Sequence, residues 1–428
     1  MTTGQSLHAQ QPAKGPHVLR RINTAAVLRA VRDDSPARLA DLMQATGLSR
    51  PAVTRAVADL REAGLVVDVQ EQVEQSIGRP AQKVRFRAEA GHVVGVDVGS
   101  HKILAKVADL SGDVRSSRQV AIREPATGAG LLKSLRTTLS EVLAEAGLTP
   151  GHVWAVVVGA PGIVDALSGQ VLFAPSIPGW ARQPVLAELR TTFACPVLIE
   201  NDINLAVLAE RWRGAAAGAD SLVFVHWGAR IGTGIIIDGR PYRGASAAAG
   251  ELGFADVFTP AGEPAAVVVD AAHELGPFEQ MVGARAIIEL AVAHRVAAAT
   301  AGPPEDVSDG RQDGRQDGVA AVFAAAADGD PAALHVVDLV ADRFARGLAV
   351  LLLVLDPREV IIGGGVSRAG GTLLEAIERH LRPRVLAWPR LALSDLGGDA
   401  VALGAVRRAL DHLEERLIER AGAARAGA

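Results

Sequence analysis

The sequence predicts an α/β protein in two parts, a winged helix-turn-helix at the N-terminus followed by a larger domain of two lobes. Residues 1–90 contain three stretches in which apolar residues recur at helical spacing, and then two short strand-like runs. From residue 92 onward, apolar runs alternate with glycine-rich turns, and a strand-turn-strand unit occurs twice. The chain therefore combines a small helical module with a duplicated α/β domain.

Length and composition agree with a globular protein of several domains. The chain has 428 residues, of which 49% are apolar and 21% are charged, which is typical of two or three folded domains. Cys195 is the only cysteine, so an internal disulfide and a cysteine-based zinc site within one chain are both excluded. The sequence has neither an apolar leader nor an apolar run of about 18 residues, which predicts a cytoplasmic protein without membrane contact.

Charge is distributed unevenly along the chain. Residues 1–90 hold 13 Lys and Arg against 9 Asp and Glu, a net charge of +4, whereas the remainder has a net charge of −8. A basic first part joined to an acidic body is typical of a DNA-reading module attached to a domain that does not bind DNA. Ordinary variation of surface residues would give the same numbers, so charge alone leaves both interpretations open.

The helices of the first part have the order of a helix-turn-helix. Apolar spacing predicts a helix over 17–33. A second helix is predicted to open at Pro36 and to end at Gly47, and Ser49 is predicted to cap a third. A very short turn between the second and third helices is the geometry by which a recognition helix enters the DNA major groove.

The third helix has two distinct faces. Val53, Val57 and Leu60 form an apolar stripe, and the opposite face carries polar and basic residues. Two strand-like runs, 65–69 and 83–87, then flank a polar segment with Arg79 and are predicted to form a wing whose arginine reaches a phosphate or the minor groove. A helical hairpin with a solvated charged face is the alternative. The predicted DNA-contacting residues are Ser49, Arg50, Pro51, Thr54, Arg55 and Arg79.

The second part is predicted to be a duplicated α/β domain. Two apolar strands surround a glycine turn in 92–114, and the same unit returns in 221–240. A repeated unit of this kind indicates two lobes with a cleft between them. Glycine turns can present backbone N–H groups to phosphate, although any single turn is more often a plain hairpin. The polar repeat at 310–318 is predicted to be a surface loop.

Several ordered motifs resemble one known family. They are Arg20 with Asn23, GLSRPAVTRAVADLREAGLV (47–66), GRP (78–80), DVGSHK (97–102), GAPGIVD (159–165), END (200–202), IGTGIIIDGRPYRGASAAAGELG (231–253) and IIGGGVS (361–367). Together they resemble the ROK family, specifically its NagC/XylR-type transcriptional regulators, over about residues 18–412. The resemblance implies a winged helix-turn-helix fused to a two-lobed, actin-like sugar-kinase domain of the ATPase superfamily.

The resemblance also implies domain limits and ligand-binding residues. The expected parts are a disordered start (1–17), the winged helix-turn-helix (18–88), lobe 1 (92–218), lobe 2 (219–412) and a helix end with a tail (413–428). The residues that fall where the family binds sugar hydroxyls are Asn201, Asp202, Glu251 and Glu279. Asn and Asp at the end of a strand also commonly cap the next helix, which is the other interpretation of the first two.

Two departures from the family pattern affect the predicted chemistry. Phe254 stands where the family commonly has a histidine that contacts sugar, and residues 255–277 hold none of the three zinc-binding cysteines, so no zinc is expected. The first phosphate loop, DxGGT in the kinases, has Ser100 in place of the second glycine and His101 in place of the threonine. These two substitutions in the phosphate loop argue against kinase activity.

The sequence thus predicts a DNA-binding repressor of carbohydrate-related genes rather than an enzyme. Its expected partners are a double-stranded DNA operator, a small sugar effector in the cleft, and further copies of the chain in a homodimer or homotetramer. One alternative is an active sugar kinase, with Asp202 as the general base and Mg-ATP on the glycine turns. Another is a regulator whose second domain only dimerises or docks a partner.

Overall fold

A computed structural model describes residues 16–69, 83–122, 127–165, 168–258, 275–297 and 312–423. Its contacts divide the chain into two compact units. The first comprises residues 1–93, 108–113 and 410–428, and the second comprises residues 94–107 and 114–409. Residues 1–15 of the expected disordered start, and Arg79 in the predicted wing, lie outside the described residues. None of the helices in the described part is both long enough and apolar enough to span a membrane.

The first unit contains the predicted winged helix-turn-helix. Its elements are α1 (Pro16–Asp33), β1 (Ala37–Arg38), α2 (Leu39–Thr46), α3 (Arg50–Glu62), β2 (Val66–Val69) and β3 (Lys83–Phe86). The strands form a sheet in the order β1-β3-β2, with β3 antiparallel to both neighbours. The apolar stripe of α3 is buried as predicted, because Val53, Val57 and Leu60 are each at most 3% exposed.

One local prediction in this unit was wrong, and a second is confirmed only in part. The second helix does not open at Pro36, because Ala37 is buried and pairs with Val84 in the sheet, so the helix begins only at Leu39. Strand pairing outweighs the preference of proline for the first turn of a helix. Ser49 has the extended backbone of an N-cap residue, but its hydroxyl makes no capping hydrogen bond.

The second part contains two five-stranded sheets. The first lobe has the order β10-β7-β4-β5-β6, and the second has β13-β12-β11-β14-β15. The strands of the first lobe, with the separate pair β8–β9, are β4 (His92–Val98), β5 (Lys102–Asp109), β6 (Val114–Ala121), β7 (Val153–Ala160), β8 (Ile163–Asp165), β9 (Gln170–Phe173) and β10 (Val197–Asn201). Those of the second are β11 (Leu222–Trp227), β12 (Ile231–Ile237), β13 (Arg240–Pro241), β14 (Glu359–Gly363) and β15 (Arg390–Leu393).

The two sheets have the same topology, which confirms the predicted duplication. In each sheet the first strand is central and is flanked by the second strand and by a later one, so β4, β5 and β7 correspond to β11, β12 and β14. Strands β7 and β10 pair in parallel, as do β11 and β14, which brings the carboxyl ends of each pair to one edge of its sheet. Side chains that follow these ends therefore lie close together.

Helices cover the sheets, and their apolar faces complete a core in each lobe. They are α4 (Gly128–Glu145), α5 (Val185–Arg190), α6 (Asp202–Arg213), α7 (Pro277–Val282), α8 (Ala284–Ala293), α9 (Gln312–Ala327), α10 (Pro331–Leu355), α11 (Gly371–Leu381) and α12 (Ala400–Ala423). Part of the segment predicted as a loop at 310–318 belongs to α9. The apolar residues that follow, including Val322 and Phe323, are buried against neighbouring helices, and this packing extends the helix into the polar repeat.

Helix α12 contributes to both units. Its first turns pack closely on the first lobe, because Gly95 of β4 lies against the backbone of Ala402 and Gly404 lies against the backbone of Leu205. From Leu410 the helix belongs to the first unit, where Glu414 accepts a hydrogen bond from Arg29 of α1. The expected limit of the second lobe at residue 412 lies within this helix and stays a prediction.

Candidate DNA-binding surface and ligand site

The start of α3 presents the residues that the sequence predicted for DNA contact. Ser49, Arg50, Pro51, Thr54 and Arg55 are all exposed. In the described part of the chain, no acidic side chain forms an ion pair with either arginine. Two unpaired guanidinium groups and a hydroxyl at the N-terminal end of a helix can reach base edges and phosphates when that end enters the major groove.

Ion pairs fix α3 within its unit. Arg20 of α1 donates from Nε to Asp59 Oδ2 at 2.8 Å, and this bond joins the first helix to the back of α3. Two residues further along the last turn of α3, Arg61 donates to Asp68 of β2 at 2.6 Å. The exposed start of α3 is therefore held by contacts that use none of the residues predicted to touch DNA.

In the larger domain, Asn201 and Asp202 lie where β10 ends and α6 begins. Asn201 is the N-cap of α6, because its Oδ1 accepts a hydrogen bond from the backbone N–H of Asn204 at 2.8 Å. Its Nδ2 donates to the carbonyl of Gly162 at 2.8 Å. The structure thus gives Asn201 the capping role that the sequence analysis had kept as an alternative.

Asp202 has more freedom than Asn201 to bind a ligand. Its Oδ1 accepts from the backbone N–H of Ile203 at 2.9 Å, whereas no described donor reaches Oδ2. Burial, together with the negative charges of Asp97 and then Glu251, raises the pKa of Asp202 to about 8. Near neutral pH the carboxyl group is largely protonated and can donate a hydrogen bond as well as accept one.

The raised pKa of Asp202 predicts a pH-dependent stability difference in an Asp202→Asn variant. An unfolded aspartate loses its proton near pH 4, while the folded protein retains it until about pH 8. The folded wild type is therefore progressively destabilised as pH rises from 4 to 8. We expect the variant to match the wild type near pH 4 and to be more stable by several kcal/mol at pH 8, in urea unfolding at both pH values. A difference that is the same at both pH values would contradict this assignment.

The two glutamates predicted to bind sugar have different surroundings. Glu279 is 2% exposed, and its two carboxylate oxygens accept backbone hydrogen bonds from Ile231 and Gly276, each at 2.8 Å. Glu279 therefore fixes the backbone on two sides of the site, at Ile231 and at Gly276. Glu251 precedes a short 3-10 turn, and no described side chain or backbone group donates a hydrogen bond to it. Burial, followed by the charge of Glu279, raises the pKa of Glu251.

Two further charged residues that the sequence analysis did not select lie at the first glycine turn. Lys102 Nζ lies 3.6 Å from Asp97 Oδ2 and donates to the carbonyl of Gly398 at 3.0 Å. Burial raises the pKa of Asp97 to about 6 although Lys102 opposes the shift. Burial, and then the charge of Lys102, lowers the pKa of His226 to about 4. Asp97 and Asp202 are each in a motif that the sequence analysis quoted. Only the folded structure shows that the charge of Asp97 acts on Asp202.

The second glycine turn, after β11, lies next to a third one at Gly364, after β14. The backbone at Gly364 has φ +89°. A Cβ at this position would lie 2.5 Å from the carbonyl oxygen of Trp227, so only glycine lets the two turns approach each other. Arg230 lies in the second turn, a position that the sequence analysis did not select. The sequence did contain a signal for this residue, because Arg230 is the one charged residue in the segment 228–232, which is otherwise glycine or apolar.

In the part of the chain that the structure describes, no group of three or more His, Cys, Asp and Glu side chains could hold a metal ion. Phe254 ends the 3-10 turn after Glu251, and most of the segment that follows it, 259–274, is outside the described residues. The expectation that this chain binds no zinc stays a prediction.

An exposed recognition helix joined to a duplicated α/β domain with a carboxylate site defines a DNA-binding transcriptional regulator on a sugar-kinase-like scaffold. The model of the MarR family matches residues 21–73. The model of the ROK family matches residues 93–411, and the chain belongs to the ROK family.

Known proteins similar to this chain include both regulators and enzymes. The xylose repressor of Caldicellulosiruptor bescii is 24% identical over 91% of this chain and 95% of its own length. A glucokinase of Halalkalibacterium halodurans is 30% identical over 73% of this chain and 92% of its own length, and this match extends over 323 residues. The crystal structure of a ROK family transcriptional regulator, a homolog of E. coli MLC protein, superposes with a TM-score of 0.74 at 23% identity, over 95% of this chain and 99% of that one. That last likeness is one of fold.

Proposed function

We propose that this protein is a repressor of carbohydrate-related genes whose operator binding responds to a sugar or sugar derivative bound beside Asp202. One observation carries the proposal. Asp202 and Glu251 keep carboxylate oxygens open to a ligand in the same chain that exposes Arg50 and Arg55 on a recognition helix. Carboxyl groups that both donate and accept discriminate well among sugar hydroxyls. The name of the xylose repressor, which matches over nearly the whole chain, supports the same role.

The proposed mechanism is a shift between two conformations of the kinase-like domain. A ligand that binds one arrangement of the lobes more tightly increases its population, and operator binding changes only by that difference in affinity. Two recognition helices from a homodimer or homotetramer would read half-sites about one DNA turn apart. We expect the protein to act in the cytoplasm, without zinc or another bound cofactor.

A thermal-shift screen against free sugars, phosphosugars and Mg-ATP tests the proposal, because a ligand of the folded state raises the melting temperature. We expect one sugar-type ligand to give a shift of a few degrees, and the Asp202→Asn and Glu251→Gln variants to lose it while they still bind DNA. Asp238→Asn, at an exposed turn, is the matched control and should keep the shift. The absence of any shift in the wild type would favour a domain that only dimerises or docks a partner.

Sugar kinase activity is the second candidate function. The 30% identity to a glucokinase and the position of Asp202 directly after β10 favour it, since this group, in its deprotonated form, would accept the proton of the attacking hydroxyl. Mg-ATP would have to bind on the glycine turns. Ser100 adds a side chain to the first turn, where the kinases have a second glycine, so the fit of this turn to the triphosphate of ATP is poor. Release of ADP from Mg-ATP in the presence of a hexose, measured in a coupled assay, would establish the enzyme.

A further inference from the structure

Arg230 lies in the turn between β11 and β12, with its backbone fixed on both sides. The carbonyl of Arg230 accepts a hydrogen bond from the N–H of Gly228 at 3.1 Å. The next residue, Ile231, donates its N–H to the buried Glu279 at 2.8 Å. The side chain of Arg230 is 31% exposed, so the guanidinium group is partly withdrawn from water but still accessible.

The guanidinium group of Arg230 has no hydrogen-bond partner among the described residues. Its nearest carboxylate is Glu279, whose Oε2 is 3.6 Å from Nη1, beyond hydrogen-bond distance. Glu279 already accepts two backbone hydrogen bonds. Arg243 offers a contrast, because at a similar exposure of 30% it donates from both Nε and Nη2 to Glu200. The donors of Arg230 thus remain available although the group is always charged.

The guanidinium group of Arg230 and the turn that follows Glu251 both lie against Glu279. A Cβ at Gly253 would lie 2.7 Å from Glu279 Oε1, so the turn that Glu251 precedes packs directly on the carboxylate beside Arg230. The charge of Arg230 also opposes the rise in the pKa of Glu251. Asp202 in turn interacts with Glu251. The site therefore combines carboxyl groups suited to hydroxyls with one cation whose donors are unused.

We propose that Arg230 binds an anionic substituent of the effector, a carboxylate or a phosphate, and that the effector is accordingly an acidic sugar. The planar fork of a guanidinium group matches either anion through two parallel hydrogen bonds. This inference rests on the proposed function, since it requires a sugar-type ligand beside Asp202. The competing role for Arg230 is only to balance the charges of Glu251 and Glu279.

Isothermal titration with matched ligands separates the two roles. Glucose, N-acetylglucosamine and xylose are each compared with their phosphates and with the corresponding sugar acids. We expect the wild type to bind at least one anionic form about ten-fold or more tighter than its neutral parent. The Arg230→Gln variant should lose about ten-fold in affinity for that form and change its affinity for the neutral parent by less than about three-fold. A preference for sugar acids over phosphates, or the reverse, identifies the anion.

Two further variants complete the test. Arg230→Lys, which keeps the charge but not the fork, should retain part of the preference. Arg240→Gln removes an exposed arginine near the same strand and should bind every ligand as the wild type does. Equal losses for neutral and anionic ligands in Arg230→Gln would show charge balance and overturn the inference. A neutral sugar that binds at least as tightly as its acidic forms would overturn it while leaving the proposed function intact, whereas no binding of any sugar would overturn both.

Discussion

The combined replacement Arg50→Ala and Arg55→Ala is expected to lower specific operator affinity about 100-fold or more. Each guanidinium group is exposed at the start of α3 and can form hydrogen bonds with a base edge or a phosphate. One such contact contributes about 1–3 kcal/mol to the binding free energy, so the loss of two should weaken operator binding strongly while the fold stays intact. Because both side chains are exposed, stability should change by no more than about 0.5 kcal/mol.

Fluorescence anisotropy with a duplex selected from a random library by the wild-type protein measures this loss. Arg285→Ala removes an exposed arginine from α8 in the other unit and serves as the control for charge alone. A residue that contacts phosphate should weaken selected and unselected duplexes alike and reduce the salt dependence, whereas a base contact should weaken only the selected one. Unchanged affinity in both single variants would contradict the assignment of α3 as the recognition helix.

The second large effect is expected from Arg243→Ala, which should destabilise the second unit by about 3 kcal/mol. Glu200 is the penultimate residue of β10 in the first lobe and is 2% exposed. It accepts hydrogen bonds from Arg243, which follows β13 of the second lobe, with Nε at 2.9 Å from Oε2. Removing the arginine leaves a buried carboxylate without its counter-charge, and this is the costly way to break an ion pair.

Urea unfolding of the full chain, followed by circular dichroism, measures the cost. Arg240→Ala removes an exposed arginine three residues earlier and should leave the unfolding midpoint unchanged. The double variant Glu200→Gln with Arg243→Ala should recover part of the lost stability, because no buried charge remains. Equal midpoints for Arg243→Ala and the wild type would mean that this pair does not join the lobes.

The features of this protein that follow from sequence patterns are those that depend on residues close together in the chain. The helix stripe of Val53, Val57 and Leu60 follows from spacing within 13 residues of α3, and the structure buries it as predicted. The repeated strand-turn-strand unit likewise predicts two sheets of the same topology. Such patterns are local in the chain, because the spacing of apolar residues determines which face of a helix or strand is buried.

The sites were only partly predictable for the opposite reason. Asp202 and Glu251 were predicted by resemblance, and the structure leaves both with open carboxylate oxygens. Asn201 and Glu279 were predicted by the same means, but their polar atoms are used within the protein, by a helix cap and by two backbone N–H groups. Composition and spacing do not reveal whether a polar side chain is already satisfied.

By itself, the sequence determined the class of fold, the duplication, the recognition helix and the presence of a carboxylate at the end of β10. The tertiary structure decided which charges meet. Arg230 lies beside Glu279, and Arg243 binds Glu200. The partners are tens of residues apart in the chain, and the periodicity of the sequence does not predict such pairs. It also decided that a two-residue strand at Ala37 displaces the expected start of a helix. Short patterns encode which face of a segment avoids water, whereas the pairing of charges and hydrogen bonds depends on which segments folding brings together.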